Sequence, residues 1–168
     1  EQLGVRRVRC AVGGSMGGMH VLEWAFETTD DGAPFVQALV PIAVGGRHTA
    51  WQIGWSEAQR QAITTDPKWR GGEYPLDDPP TDGLATARMM AMVSYRSQPS
   101  FDGRFGRDVM TDQDGAPYAV ESYLRYQGEK LVDRFDAHCY VSLTQQMDTH
   151  DVARGRGAYE AVLESIEQ

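Results

Sequence analysis

Ala11-Val12-Gly13-Gly14-Ser15-Met16-Gly17-Gly18-Met19 is the stretch whose reading decides the fold. Upstream of it, Val5 to Val12 alternates as a strand does, with Val8, Cys10 and Val12 on one side and Arg7, Arg9 and Ala11 on the other. Downstream, His20 to Phe26 reads as a helix, with Leu22, Trp24 and Ala25 available for packing. Gly13 to Gly17 thus lies between a strand and a helix and fits G-x-S-x-G. In that motif the serine occupies a strained strand-to-helix turn that lifts its hydroxyl clear of the sheet. Glycines two residues before and after it let the neighbouring elements approach without a Cβ clash. Ser15 is the candidate nucleophile. The backbone N–H of Met16 is the candidate donor to a developing oxyanion, assisted by the partial positive charge of a helix N-terminus. The competing readings are a plain glycine-rich turn and a phosphate-cradling loop. The second lacks both G-x-G-x-x-G and a terminal GK[ST].

Working outward, Asp30-Asp31-Gly32-Ala33-Pro34 is a turn cluster, and Phe35 to Val44 is a nearly continuous apolar run. Such a run is what a strand buried on both faces of a parallel sheet looks like. Strand, helix and strand in this order make one right-handed crossover unit, so the fold class is α/β. After Gly45-Gly46 the character becomes helical. Trp51, Trp55, Ala58 and Ala62 fall at helical spacing, and Asp66-Pro67 ends that helix. A second helix is expected over residues 83–96, capped by Asp82 and stopped by Ser97-Gln98-Pro99. A Gly- and Asp-rich loop follows over 100–116. Helices are then expected over 118–135, with Val120, Leu124, Gln127, Leu131 and Phe135 on one stripe, over 137–147, and in the tail from Gly157. Two strands do not make a stable open sheet alone. The sequence therefore reads as a segment of a larger α/β protein: a partial sheet domain over 1–47, a helical insertion over 48–152, and a return toward the sheet over 153–168.

Composition narrows the function. A chain of 168 residues corresponds to about one domain, and 41% hydrophobic residues suffice for a core. Sixteen basic against 24 acidic side chains leave a net charge of −8, which argues against a nucleic-acid binder. No apolar run approaches the roughly 20 residues that span a bilayer, and the N-terminal residues lack the pattern of a signal peptide. Cys10 and Cys139 offer neither a disulfide framework nor a zinc spacing. A cytoplasmic, reducing location is the expectation.

A serine nucleophile needs a histidine base and an orienting carboxylate. His20, His48, His138 and His150 do not follow a further sheet strand, where the base belongs. The base and acid are therefore expected outside these residues. Arg88 and Tyr95 stand seven apart, about two helical turns, and share a face with Leu84, Ala91 and Met92. An arginine in an apolar stripe must find an anion or lose hydration at a cost of several kcal/mol. A ligand carboxylate gripped by the planar fork is one solution. A structural pair with a nearby aspartate, or a stem packed over the surface, is another. Asp148-Thr149-His150-Asp151 carries ligand-type side chains, but neighbours at a helix end rarely converge on one ion, so no metal site is read there. Arg154-Gly155-Arg156 reads as a solvated turn or an ion pair between insertion and core. Trp51, Trp55 and Trp69 read as core of the insertion or a dimer surface.

Taken together, AVGGSMGGMHVLEWA, GLATARMMAMVSYRS, VESYLRYQGEKLVDRFDAHCY and LTQQMDTHDVARGRG resemble the homoserine O-acetyltransferases, α/β-hydrolase-type acyltransferases of methionine biosynthesis. The resemblance covers about residues 3 to 160, with the four motifs in order. It implies an α/β-hydrolase fold with strand, nucleophile elbow, helix and strand, plus a mostly helical lid. It implies ping-pong transfer of acetyl from acetyl-CoA through Ser15 to the hydroxyl of L-homoserine, with no further cofactor. It assigns Arg88 and Tyr95 to the amino-acid substrate and places homodimer contacts on the lid helices. The family's triad motifs, S-D-x-L-Y-P-like for the aspartate and G-H-D-like for the histidine, do not occur in these residues. Cephalosporin acetyltransferases share the layout. Related succinyltransferases, esterases and a purely helical dimerisation role are the alternatives.

Overall fold

The computed structural model describes residues 4–110 and 118–167. Of the loop expected over 100–116, residues 111–116 lie outside the described residues. The chain forms two compact units, one made of residues up to Thr49 together with those from Gln146 onward, the other of Ala50–Gln145.

In the first unit, strand β1 (Ala11–Gly14) runs through Ser15 into helix α1 (Met16–Glu23), which one 3-10 turn (Trp24–Phe26) extends. Strand β2 (Leu39–Ile42) pairs with β1 in parallel, from Ala11 opposite Leu39 to Gly14 opposite Ile42. Parallel neighbours require a crossover, and α1 supplies it while packing on both strands. Both strands are shorter than the sequence suggests. Among the described residues, an isolated parallel bridge between Val8 and Val36 alone continues the pairing beyond the ladder, because a strand extends only as far as it has partners. Burial on both faces is not what the structure has. Val12, Val40 and Ile42 are 64, 42 and 52% exposed on one face, whereas α1 covers the other. Helix α7 (Tyr159–Glu164) is shorter than the predicted tail helix. An antiparallel bridge between Arg47 and Asp151, with the Val152 N–H donating to the Gly46 carbonyl at 2.9 Å, ties the segment after β2 to the segment before α7.

The second unit is helical: α2 (Ala50–Thr64), α3 (Thr81–Ser94), α4 (Gln98–Phe105), α5 (Ala119–Val132) and most of α6 (Ala137–Thr149). Its core gathers Ile63 of α2, Leu84 and Ala87 of α3, Leu131 of α5 and Ala137 of α6. Helices approach closely because glycines face backbone at two crossings. A Cβ on Gly83 would meet the Ala62 carbonyl oxygen at 2.6 Å, and one on Gly128 the Ala85 oxygen at 2.9 Å. On α2 the buried face is Ser56, Gln59 and Ile63, not the tryptophan stripe. Trp51 is 74% exposed and meets Trp55 edge to face, which excludes the core as its place, whereas Trp69 packs against the core cluster.

Two helix boundaries correct the sequence reading. Helix α3 starts at Thr81, so Asp82 lies inside its first turn, and the cap comes from Asp66, whose Oδ2 accepts the Gly83 N–H at 2.8 Å. The residues read as a stop, Ser97-Gln98-Pro99, instead open α4, with Pro99 in its first turn, where a proline lacks nothing that the helix needs. Among the described residues no helix is long and apolar enough to cross a membrane.

Candidate active site

Ser15 is the hinge between β1 and α1. Its N–H donates to the Ile42 carbonyl at 2.9 Å, which closes the ladder, while its own carbonyl accepts from Gly18 and Met19 at 2.7 and 3.1 Å, which opens the helix. The residue is held from both sides at φ 53° and ψ −123°, a conformation that costs a non-glycine residue of order 1–3 kcal/mol. Its side chain is exposed. The turn is affordable only because Gly13 and Gly18 are bare. A Cβ on Gly13 would lie 2.2 Å from the Gly17 carbonyl oxygen, and one on Gly18 would lie 2.6 Å from Val44 Cγ1. Met16 is the first residue of α1, so its N–H has no acceptor inside the helix and lies at the positive end of the helix dipole.

The histidines are committed elsewhere or stand apart. His48 Nδ1 lies 2.9 Å from Asp148 Oδ1, with both side chains largely buried. His150 Nε2 lies 3.0 Å from Glu23 Oε1, and its buried Nδ1 has no partner among the described residues. His20 is exposed on α1. His138, in the helical unit, stacks on Trp69 at 5.9 Å. Within the first unit, none of His20, His48 and His150 is hydrogen-bonded to Ser15. The Asp148 to Asp151 stretch sends its side chains to separate partners: Asp148 to His48, His150 to Glu23, and Asp151 to Arg47 at 3.6 Å. Glu23 also takes Arg156 Nη2 at 2.9 Å, and that guanidinium lies 4.1 Å from the Phe26 ring centroid. The ion pair is thus internal to the first unit. Glu23 was not legible in the sequence as a junction, because its two partners lie more than 120 residues away. Among the described residues no group of three or more His, Cys, Asp or Glu could hold a metal ion.

In the helical unit, α3 brings Arg88 and Tyr95 together as their spacing requires. The guanidinium carbon lies 5.9 Å from the Tyr95 ring centroid, within cation–π range. Leu84, Ala91 and Met92, on the same stripe, are buried. Arg88 is half-buried, and among the described residues no carboxylate pairs with it. Tyr95, just past the end of α3, is 68% exposed. Two further side chains join this place. The Tyr140 hydroxyl of α6 donates to Oε1 of Gln59, which is only 7% exposed. Burial pushes the Tyr140 phenol well above its ordinary value, with Tyr95 adding to the rise and Arg88 opposing it. The signal available in the sequence was a tyrosine at helical spacing between Ala137 and Thr144, the two buried residues of α6, since a buried phenol seeks a hydrogen-bond partner.

The model of the α/β hydrolase fold family matches residues 1–137. Homoserine O-acetyltransferase of Salinibacter ruber is 81% identical over 168 residues, which is 100% of this chain and 48% of that protein. The chain spans about half the length of the curated relatives it matches. Among solved structures, homoserine O-acetyltransferase from Bacillus anthracis superposes with TM-score 0.84 at 20% identity, over 99% of this chain and 44% of that one. A mutant of esterase E22 gives TM-score 0.81 at 22% identity, over 99% and 46%. At these identities the two structures show a shared fold.

Proposed function

We propose, from the premise that the chain belongs to the α/β-hydrolase fold family, that it carries the nucleophile and the acceptor-binding helices of an acetyltransferase acting on L-homoserine. The Ser15 hydroxyl attacks the thioester carbonyl of acetyl-CoA, the thiol of coenzyme A leaves with a proton, and acetyl-Ser15 remains. The homoserine hydroxyl then attacks that ester, giving O-acetylhomoserine and regenerating the serine. Both tetrahedral intermediates place negative charge where the Met16 N–H can donate, and one such donor contributes about 3 kcal/mol to the transition state. Arg88 grips the amino-acid carboxylate and Tyr95 flanks it. No group of this chain is assigned as the base. The helical unit is the lid and, in the whole protein, the surface of a homodimer. The enzyme works in the cytoplasm and takes no cofactor beyond its co-substrate.

One observation carries this reading: an exposed serine at φ 53° between a parallel strand and a helix. The 81% identity to a homoserine O-acetyltransferase supports the choice of acceptor. The full-length protein incubated with acetyl-CoA should acquire one acetyl group on the peptide bearing Ser15, and label on any other residue overturns the assignment. The likeness to esterase E22 supports a second reading, in which water is the acceptor. Sustained turnover of acetyl-CoA without homoserine, beyond the one equivalent of coenzyme A released when Ser15 is acetylated, would favour it.

A further inference from the structure

Helices α2 and α3 are antiparallel, because Gly83, near the start of α3, lies against Ala62 and Ile63, near the end of α2. Arg88, just over a turn along α3, therefore comes level with Gln59, one turn back along α2. Gln59 shares the buried face of α2 with Ile63, and Arg88 shares its stripe with Leu84; Ile63 and Leu84 touch in one core cluster. Tyr140 arrives from α6, its ring packed against that cluster and edge to face with Phe135 at 6.1 Å. Its hydroxyl is bonded to Gln59.

A phenylalanine would fill this space without desolvating a hydroxyl and an amide. A buried polar pair is tolerated where it fixes a direction, since each member left alone costs about 1–3 kcal/mol. The polar groups within electrostatic reach of it are the guanidinium of Arg88, which pairs with no carboxylate among the described residues, and the phenol of Tyr95. We propose that Tyr140, anchored by Gln59, is a positioning residue for the acceptor: it holds the wall of α2 and α6 against which Arg88 turns its fork toward an amino-acid carboxylate. The proposal rests on the functional reading above and adds two residues to it. It assigns neither of them to the acetyl donor, so the first half of the reaction is expected to proceed without them.

The full-length enzyme carrying Tyr140→Phe, Gln59→Leu or both tests this, with three readouts: KM for homoserine, the single-turnover rate at which acetyl-CoA labels Ser15, and Tm. Each single variant should raise KM for homoserine about tenfold while labelling stays within about twofold, and the double variant should be no worse than the poorer single one, because the pair acts as a unit. Should Tyr140→Phe not fold, Gln59→Asn, which keeps the carbonyl and withdraws it, should show the same split. An unchanged KM in a folded variant overturns the proposal, and so does a loss of both half-reactions in step with Tm. A wild-type enzyme that labels Ser15 but acetylates no amino acid overturns the functional reading and this inference with it.

Discussion

The two units reach chemistry by opposite means. In the sheet unit the candidate group is positioned by backbone: one hydrogen bond from the Ser15 N–H and two to its carbonyl hold it at positive φ, and bare glycines make room for the turn. In the helical unit the backbone is regular, and the candidate group stands out because its half-buried guanidinium has no carboxylate partner among the described residues. At Gly13 and Gly18 the turn has no room for a side chain, whereas a helix face tolerates many substitutions provided the charge is kept. The candidate nucleophile is thus placed by local geometry and the candidate binding residue by the packing of several helices.

The sharpest test of this contrast is Ser15→Ala, which should lower acetyl transfer in the full-length enzyme by at least about 10⁴-fold with Tm nearly unchanged. Steady-state kinetics with a thermal melt check it; substantial remaining turnover would detach the turn from the chemistry. Next in size, Arg88→Ala should raise KM for homoserine about 100-fold while leaving acetylation of Ser15 by acetyl-CoA intact, the loss of a charge-assisted bidentate contact. A KM that does not move would make Arg88 a surface residue. Gly13→Ala should lower stability by about 2–4 kcal/mol in a denaturant titration, since its Cβ would lie 2.2 Å from a carbonyl oxygen that cannot shift without unwinding α1. Asp66→Ala should cost about 1 kcal/mol by freeing the Gly83 N–H at the start of α3.

The smallest effect concerns pH. Burial would raise Asp136, but hydrogen bonds from the Tyr74 hydroxyl and the Cys139 N–H outweigh it and hold its carboxyl below the ordinary value. A depressed folded-state pKa contributes stability above the unfolded value, and that contribution is lost as pH falls through the folded one. Tm of the wild type should therefore fall more steeply than that of Asp136→Asn below the ordinary carboxylate range, by a modest margin because the pair is exposed. Parallel acid limbs would show that this carboxyl is not coupled to folding.

Legibility followed range. The elbow could be read because strand, turn glycine, serine and helix lie within about a dozen consecutive residues. The face shared by Arg88 and Tyr95 could be read because seven residues of helix always return to one side. The start of α4 was missed because Pro99 is compatible with both a stop and a first turn, and only the carbonyl of Ser97, accepting from Ser100 and Phe101, decides between them. The cap of α3 was misplaced on Asp82 because Asp66, the residue that satisfies Gly83, lies 17 positions away across a loop.

By itself, the sequence determined which backbone positions had to bend and which helix faces had to be covered, since both follow from covalent geometry and helical period. The tertiary structure alone decided the pairing of groups distant in the chain: Glu23 with His150 and Arg156, His48 with Asp148, and Tyr140 with Gln59. Those pairings arise when packing removes water from polar atoms and leaves each to whichever neighbour the fold has brought within reach, a choice that no local spacing encodes.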